Sequence, residues 1–172
     1  MNIWDAVQNQ FIEVIEWLDE GTENIVYRFP VAGQEIKMGA QLIVRESQTA
    51  VFINEGKIAD VFTAGTYVLS TQNMPVLTKL KSWKYMFNSP FKAEVYFINL
   101  AQIIQVKFAV PFFDVYDPRF SDFGVPIAVR GTLSFKITDY KEFIQLHRLS
   151  DFSLDEFQNQ IKDTVARYVK DI

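Results

Sequence analysis

Helical spacing at both ends of the chain, with two-residue alternation between them, predicts an α+β fold built on mainly antiparallel strands. Three observations carry that expectation. Residues 3–18 hold an apolar stripe with a period of about 3.6 residues, apolar runs alternate from 24 to 137, and a second amphipathic stretch begins at Ser153. The expected division is an N-terminal amphipathic helix over 1–21, an α+β body over 22–150, and the start of a C-terminal helix over 151–172.

In the first stretch, at about 100° per residue, Ile3, Trp4, Val7, Phe11, Val14, Ile15 and Leu18 fall on one stripe. Ile12 and Trp17 lie at its margins, and Asp5, Asn9, Glu13, Glu16 and Glu20 occupy the opposite face. Gly21 supplies a C-terminal glycine, so a helix is expected over 3–18.

The strand expectations follow in order. Residues 24–29 end at Pro30. Residues 41–45 put Leu42 and Val44 on one face, with Ile43 and Arg45 on the other. A further run, 49–54, meets Asn54-Glu55-Gly56-Lys57, a turn signal in which Gly56 is free to take positive φ. Gly65-Thr66 opens the next run, Tyr67-Val68-Leu69. Residues 93–99 alternate Val95 and Phe97 against Glu94 and Tyr96, and 103–110 is expected to end at Pro111. Residues 125–137 carry Leu133, Phe135 and Ile137 on one side, with Thr132, Ser134 and Lys136 on the other. Such alternation predicts antiparallel strands with one wet face.

Helical spacing then returns. Residues 139–148 predict a short helix with Tyr140, Phe143, Ile144 and His147 inward. Ser153-Leu154-Asp155-Glu156 forms a capping box, and behind it Leu154, Phe157, Ile161, Val165, Tyr168 and Ile172 share a face. That stripe is still running at the last residue. The sequence is therefore expected to be a piece of a longer protein that continues as helix or coiled coil.

Composition removes several classes of function. Of 172 residues 49% are hydrophobic and 16 are Phe, which excludes a disordered chain and provides for a substantial core. Net charge is −4 and no five-residue window holds more than two basic residues, so a nucleic-acid partner is rejected. The absence of cysteine removes disulfides, zinc–thiolate sites and thiol catalysis. The first residues lack a signal peptide, and no apolar run reaches the ~20 residues that span a bilayer. A cytoplasmic location is expected.

Candidate chemistry is sparse. His147 is the only histidine, so no metal-binding histidine pair or Ser–His–Asp triad can form. Asp114, Asp117 and Asp122 lack the spacing of a calcium loop and read better as turn residues around Asp117-Pro118 and Gly124. No phosphate-binding glycine loop or nucleophile elbow occurs. Neither a cofactor, a metal nor a small-molecule substrate is expected. An enzyme with a pocket built from Asp114, Asp117, Arg119 and Arg130 ranks last among the functional readings.

Residues 39–77, in which Gly65-Thr66-Tyr67-Val68-Leu69 and Thr71-Gln72-Asn73-Met74-Pro75 follow a hairpin, resemble the opening of the stomatin/prohibitin/flotillin (SPFH, band 7) domain. The likeness is greatest to the bacterial branch once labelled virion-core-like. It extends through Ser89-Pro90-Phe91-Lys92-Ala93-Glu94-Val95-Tyr96-Phe97 and Val129-Arg130-Gly131-Thr132-Leu133-Ser134-Phe135-Lys136-Ile137. The resemblance implies a curved, mainly antiparallel sheet with packed helices, leading to a coiled coil. It also implies a non-enzymatic scaffold, a homo-oligomer that organises lipids or recruits partner proteins, with no catalytic residues to carry over. Where many relatives have a membrane-spanning segment, this chain has an acidic amphipathic stretch, so peripheral recruitment to the inner face of the cell membrane is expected, through lipid or a membrane-protein partner. Envelope stress enters by family analogy alone.

Two surfaces are therefore candidate sites. Ile3, Trp4, Val7, Phe11, Val14, Ile15 and Leu18 are candidates for contact with a membrane or a partner, or for docking on their own domain. Leu154, Phe157, Ile161, Val165, Tyr168 and Ile172 are candidates for an oligomer or coiled-coil face. The alternative to a membrane scaffold is a soluble protein–protein interaction module with no direct lipid contact.

Overall fold

The computed structural model describes residues 13–18, 24–31, 35–37, 39–79 and 91–171. They form a mixed α+β structure that divides into two compact units, Met1–Gln102 with Ile137–Ser150, and Ile103–Lys136 with Asp151–Ile172.

The first unit is built on sheets. Strands β1 (Val14–Glu16), β2 (Val26–Phe29), β3 (Glu35–Ile36), β4 (Gln41–Val44), β5 (Gln48–Asn54), β6 (Lys57–Phe62) and β7 (Gly65–Val68) precede helix α1 (Pro75–Lys79). Strands β8 (Phe91–Lys92) and β9 (Glu94–Asn99) and helix α2 (Tyr140–Leu146) complete it. A four-stranded antiparallel sheet runs β2-β9-β5-β6. A three-stranded sheet runs β1-β4-β7, and β3 pairs with β8. Leu42 and Val44 from one sheet meet Ala50, Phe52, Val95 and Phe97 from the other in a common core with Ile15, Trp17, Phe62 and Met74. The β5–β6 turn is the expected two-residue hairpin: Asn54 pairs with Lys57, while Glu55 and Gly56 take φ of 48° and 75°.

Helix α1 is capped from outside its own segment. Met74 stands at its N-cap and has no acceptor to offer. Instead, buried Asp60 on β6 accepts from the Val76 amide at 3.1 Å and the Leu77 amide at 2.9 Å. Pro75, with no amide to satisfy, takes the first helical position.

Three expectations need correction. The described part of the stretch expected to be helical over 3–18 is strand: Val14, Ile15 and Glu16 pair in parallel with Gln41, Leu42 and Ile43. Ile15 and Trp17 are buried while Val14 and Leu18 are 40% and 53% exposed, so the operative period is two. The rest of that helix, 3–12, and its end at 19–21 lie outside the described residues. Secondly, β9 has no wet face beyond Glu94. Tyr96 is as buried as Val95 and Phe97: the latter two point into the common core, while on the opposite face the Tyr96 hydroxyl donates to Glu94 and its ring lies 6.0 Å from the Arg28 guanidinium. Thirdly, the strand expected to stop at Pro111 continues to Tyr116.

That strand belongs to the second unit. Strands β10 (Ile104–Tyr116) and β11 (Gly124–Phe135) make a long antiparallel ribbon, and helix α3 (Leu154–Lys170) packs on β10.

Candidate functional site

The ribbon's register sets one face in order: Ile104 opposite Phe135, Val106 opposite Leu133, Phe108 opposite Gly131, Val110 opposite Val129. Simple alternation beyond Val110 would next place Phe112 and Asp114 on this face. A bulge between Val110 and Phe113 inserts one extra residue, so the parity flips: Phe113 faces Ile127, Val115 faces Val125, and Asp114 turns to the other side. Pro111 sits within the bulge, where the ladder is already interrupted. The face is thus apolar for the whole length of the ribbon.

Coverage of that face is uneven. At its open end Ile104, Val106 and Val110 are buried. There the Phe157 ring meets Phe135 edge-on at 5.6 Å, and Gln158 Nε2 donates to the Gln105 carbonyl at 3.3 Å. Towards the turn the same face is open: Val115, Val125 and Ile127 are about two-fifths exposed. Around them stand Phe112 at 77%, Tyr116 at 59%, Phe120 at 65% and Phe123 at 67% exposure.

The turn that displays these rings is well built. The Asp117 carboxylate accepts from the Arg119 amide at 2.9 Å and from its guanidinium at 2.8 Å, and the Phe120 amide donates to the Asp117 carbonyl at 2.9 Å. The Phe123 amide closes a second turn on the Phe120 carbonyl at 3.1 Å. The Arg119 guanidinium holds the Asp117 carboxyl below the ordinary carboxylate range.

The sequence-derived candidates are placed as follows. Ile3, Trp4, Val7, Phe11 and Ile172 lie outside the described residues. Ile15 is in the core of the first unit, with Val14 and Leu18 directed outward. Ser153 caps α3, accepting from the Glu156 amide at 3.4 Å. Leu154, Phe157, Ile161 and Val165 are half-buried, whereas Tyr168 is 64% exposed. Asp114, Asp117 and Asp122 gather no metal site, and no cluster of three or more ligating side chains occurs among the described residues. His147 ends α2, its amide donating to the Phe143 carbonyl at 3.0 Å and its ring resting on Phe143. It borders an open hollow of about 370 Å³ with Ile53, Ile58, Glu94, Ile144 and Arg148, which contains none of Asp114, Asp117, Arg119 or Arg130.

The aromatic turn escaped the reading of the sequence, which credited this segment with turn chemistry alone. The signal was present: residues 112–123 combine four Phe and one Tyr with Asp-Pro, and turns are ordinarily polar.

A family profile described as SPFH domain-Band 7 family matches residues 26–172. The chain is 36% identical over 141 residues to the uncharacterized protein YdjI of Bacillus subtilis (strain 168), an alignment covering 80% of this chain and 42% of that protein. The chain thus spans less than half the length of that relative. No solved structure matches it. The profile takes in both compact units and every strand from β2 onward, and the chain belongs to the SPFH domain-Band 7 family, a generally non-enzymatic family of membrane-associated scaffolds.

Proposed function

We propose that the protein is a non-enzymatic scaffold that attaches peripherally to the inner face of the cell membrane, assembles there with copies of itself, and organises lipid or recruits partner proteins. The observation that carries this reading is the family match over 26–172. The surface chemistry supports membrane or partner contact: the described residues present large apolar side chains to solvent, Phe112, Phe120 and Phe123 among them. No helix among the described residues is long and apolar enough to cross a membrane, which fits peripheral attachment. In this reading Ile3, Trp4, Val7 and Phe11 meet lipid or a partner, and the α3 stripe from Leu154 to Tyr168 contributes to assembly. A role in envelope stress rests on analogy.

Flotation with neutral and anionic vesicles tests the reading, comparing the chain with a Trp4→Glu/Phe11→Glu variant. Flotation of the wild type, lost in the variant, is the expected result. If the wild type stays at the bottom with both lipids, direct lipid contact is refuted and a protein–protein interaction module takes its place.

A further inference from the structure

The four exposed rings at the end of the β10–β11 ribbon lie within twelve residues of sequence. Phe and Tyr side chains bury roughly 150–250 Å² each when covered. At the observed exposures, Phe112, Tyr116, Phe120 and Phe123 leave roughly 400–650 Å² of aromatic surface in water. That much aromatic surface, gathered at one end of a ribbon, needs a partner phase to cover it.

Two features identify what covers it. The first is direction. Val115, Val125 and Ile127 project from one face of the ribbon. Tyr116, opposite Gly124, and Phe112, in the bulge, fall on the other, and Phe120 and Phe123 stand at the turn itself. A second protein surface covers one face of a ribbon at a time. A partner on one face therefore leaves the rings of the other in water. A fluid phase surrounds both faces and the turn together. The second feature is charge. Asp117 is neutralised in place by Arg119, which leaves Asp114 and Asp122 and no unpaired cation in the turn. Such a tip gains nothing from anionic lipid, where attraction requires Lys or Arg. Tyr116 suits the interfacial zone of an uncharged bilayer, which accepts aromatic side chains with one polar end, and Phe112, Phe120 and Phe123 supply apolar area to bury just beneath it.

We infer that the β10–β11 turn is a membrane-insertion point for a zwitterionic lipid surface, with Phe112, Tyr116, Phe120 and Phe123 entering the headgroup zone. This rests on the membrane reading above and gives it a site separate from the N-terminal stripe.

The chain has no cysteine, so a single Ser121→Cys substitution carries an environment-sensitive dye to the turn, with Gln160→Cys on the exposed side of α3 as control. With phosphatidylcholine vesicles the expected result is a blue shift at position 121 and none at 160. Adding phosphatidylglycerol weakens the shift at 121, because Asp114 and Asp122 meet like charge, and raising salt restores it, while position 160 stays unchanged. Phe120→Ser/Phe123→Ser lowers the partition coefficient by roughly 30-fold or more, since each ring is about two-thirds exposed before insertion. Its melting curve stays that of the wild type, and Phe120→Leu/Phe123→Leu recovers most of the binding. If the chain floats with vesicles but position 121 does not shift and the double variant binds as well as wild type, the turn is not the insertion point, although the membrane reading stands. A chain that does not float at all overturns both. A shift at 121 that grows with protein concentration in the absence of lipid assigns the turn to a second copy and overturns the inference.

Discussion

Asp60→Ala should loosen the junction between β6 and α1. The carboxylate is 6% exposed and supplies both acceptors for the Val76 and Leu77 amides. The remaining early amides are provided for: Met74 donates to the Ser70 carbonyl, and Pro75 has no proton to give. Alanine leaves two amides without partners, one of them on buried Leu77. A hydrogen bond to a charged group contributes about 1.5–3 kcal/mol, and loss of a helix cap costs about 0.5–2 kcal/mol. Water reaching the half-buried Val76 amide recovers part of this, so a net loss of about 2–4 kcal/mol is expected, with about half of that for Asp60→Asn, which keeps one acceptor oxygen. For a chain of this length that corresponds to a fall in Tm of about 2–4 °C per kcal/mol. Urea denaturation followed by circular dichroism measures the stability change, and hydrogen exchange at Val76 and Leu77 locates it. The reasoning is refuted if both variants unfold within about 0.5 kcal/mol of wild type, the scatter of ordinary surface substitutions.

The strand at the N-terminal side makes a further prediction: Ile15→Ala costs about 2–4 kcal/mol, whereas Leu18→Ala stays within about 0.5 kcal/mol by denaturation. A helical stripe would make the two comparable. Gly131→Ala is expected to cost about 1–3 kcal/mol, because its Cβ would stand 2.5 Å from the Phe108 ring across the ribbon. Most of that cost disappears in a Phe108→Leu background, as a double-mutant cycle would read it. For Asp117, whose carboxyl is depressed by Arg119, any stabilisation is present above its ordinary titration range and lost as pH falls through the depressed value. Arg119→Ala therefore moves the Asp117 titration, followed by carboxyl NMR, upward, while the amide at position 119 keeps part of the depression.

What could be read from the sequence was local. The Asn54–Lys57 turn depended on glycine's freedom at one position, and Gly56 indeed takes positive φ. Ser153 lies three residues before Glu156, and it caps α3. Interactions set by distant partners were not legible. Residues 12–17, Ile-Glu-Val-Ile-Glu-Trp, fit a helical stripe better than strict alternation, since Val14 and Ile15 are adjacent and Glu13 shares a strand face with Ile15 and Trp17. The choice falls to β4, which pairs with Val14 through Gln41. Likewise nothing in Glu94-Val95-Tyr96-Phe97 reveals that this strand is central, between β2 and β5, or that the Tyr96 face is as buried as that of Val95 and Phe97. Asp60 was invisible for the same reason: its role appears only when Val76 and Leu77 are brought to it.

The open end of the aromatic ribbon has a geometric cause. Thirteen residues of β10 extend about 43 Å at 3.3 Å each, whereas the seventeen residues of α3 extend about 25 Å at 1.5 Å each. Packed from the end where Phe157 meets Phe135, a helix of that length reaches little more than half of the ribbon. Along β10 exposure follows that limit, with Val110 buried and Val115 open, whereas on β11 Leu133, opposite Val106, is 38% exposed. Unbroken alternation would have set the Asp114 carboxylate on this face between Phe112 and Tyr116. Instead the bulge at Pro111 and Phe112 reverses the parity just where helix cover fails, and carries the apolar face on to Val115 and Val125. The cross-strand pairs Phe113–Ile127 and Val115–Val125 that result contribute only modestly, since Val115, Val125 and Ile127 stay about two-fifths exposed. The bulge is explained by what the turn touches.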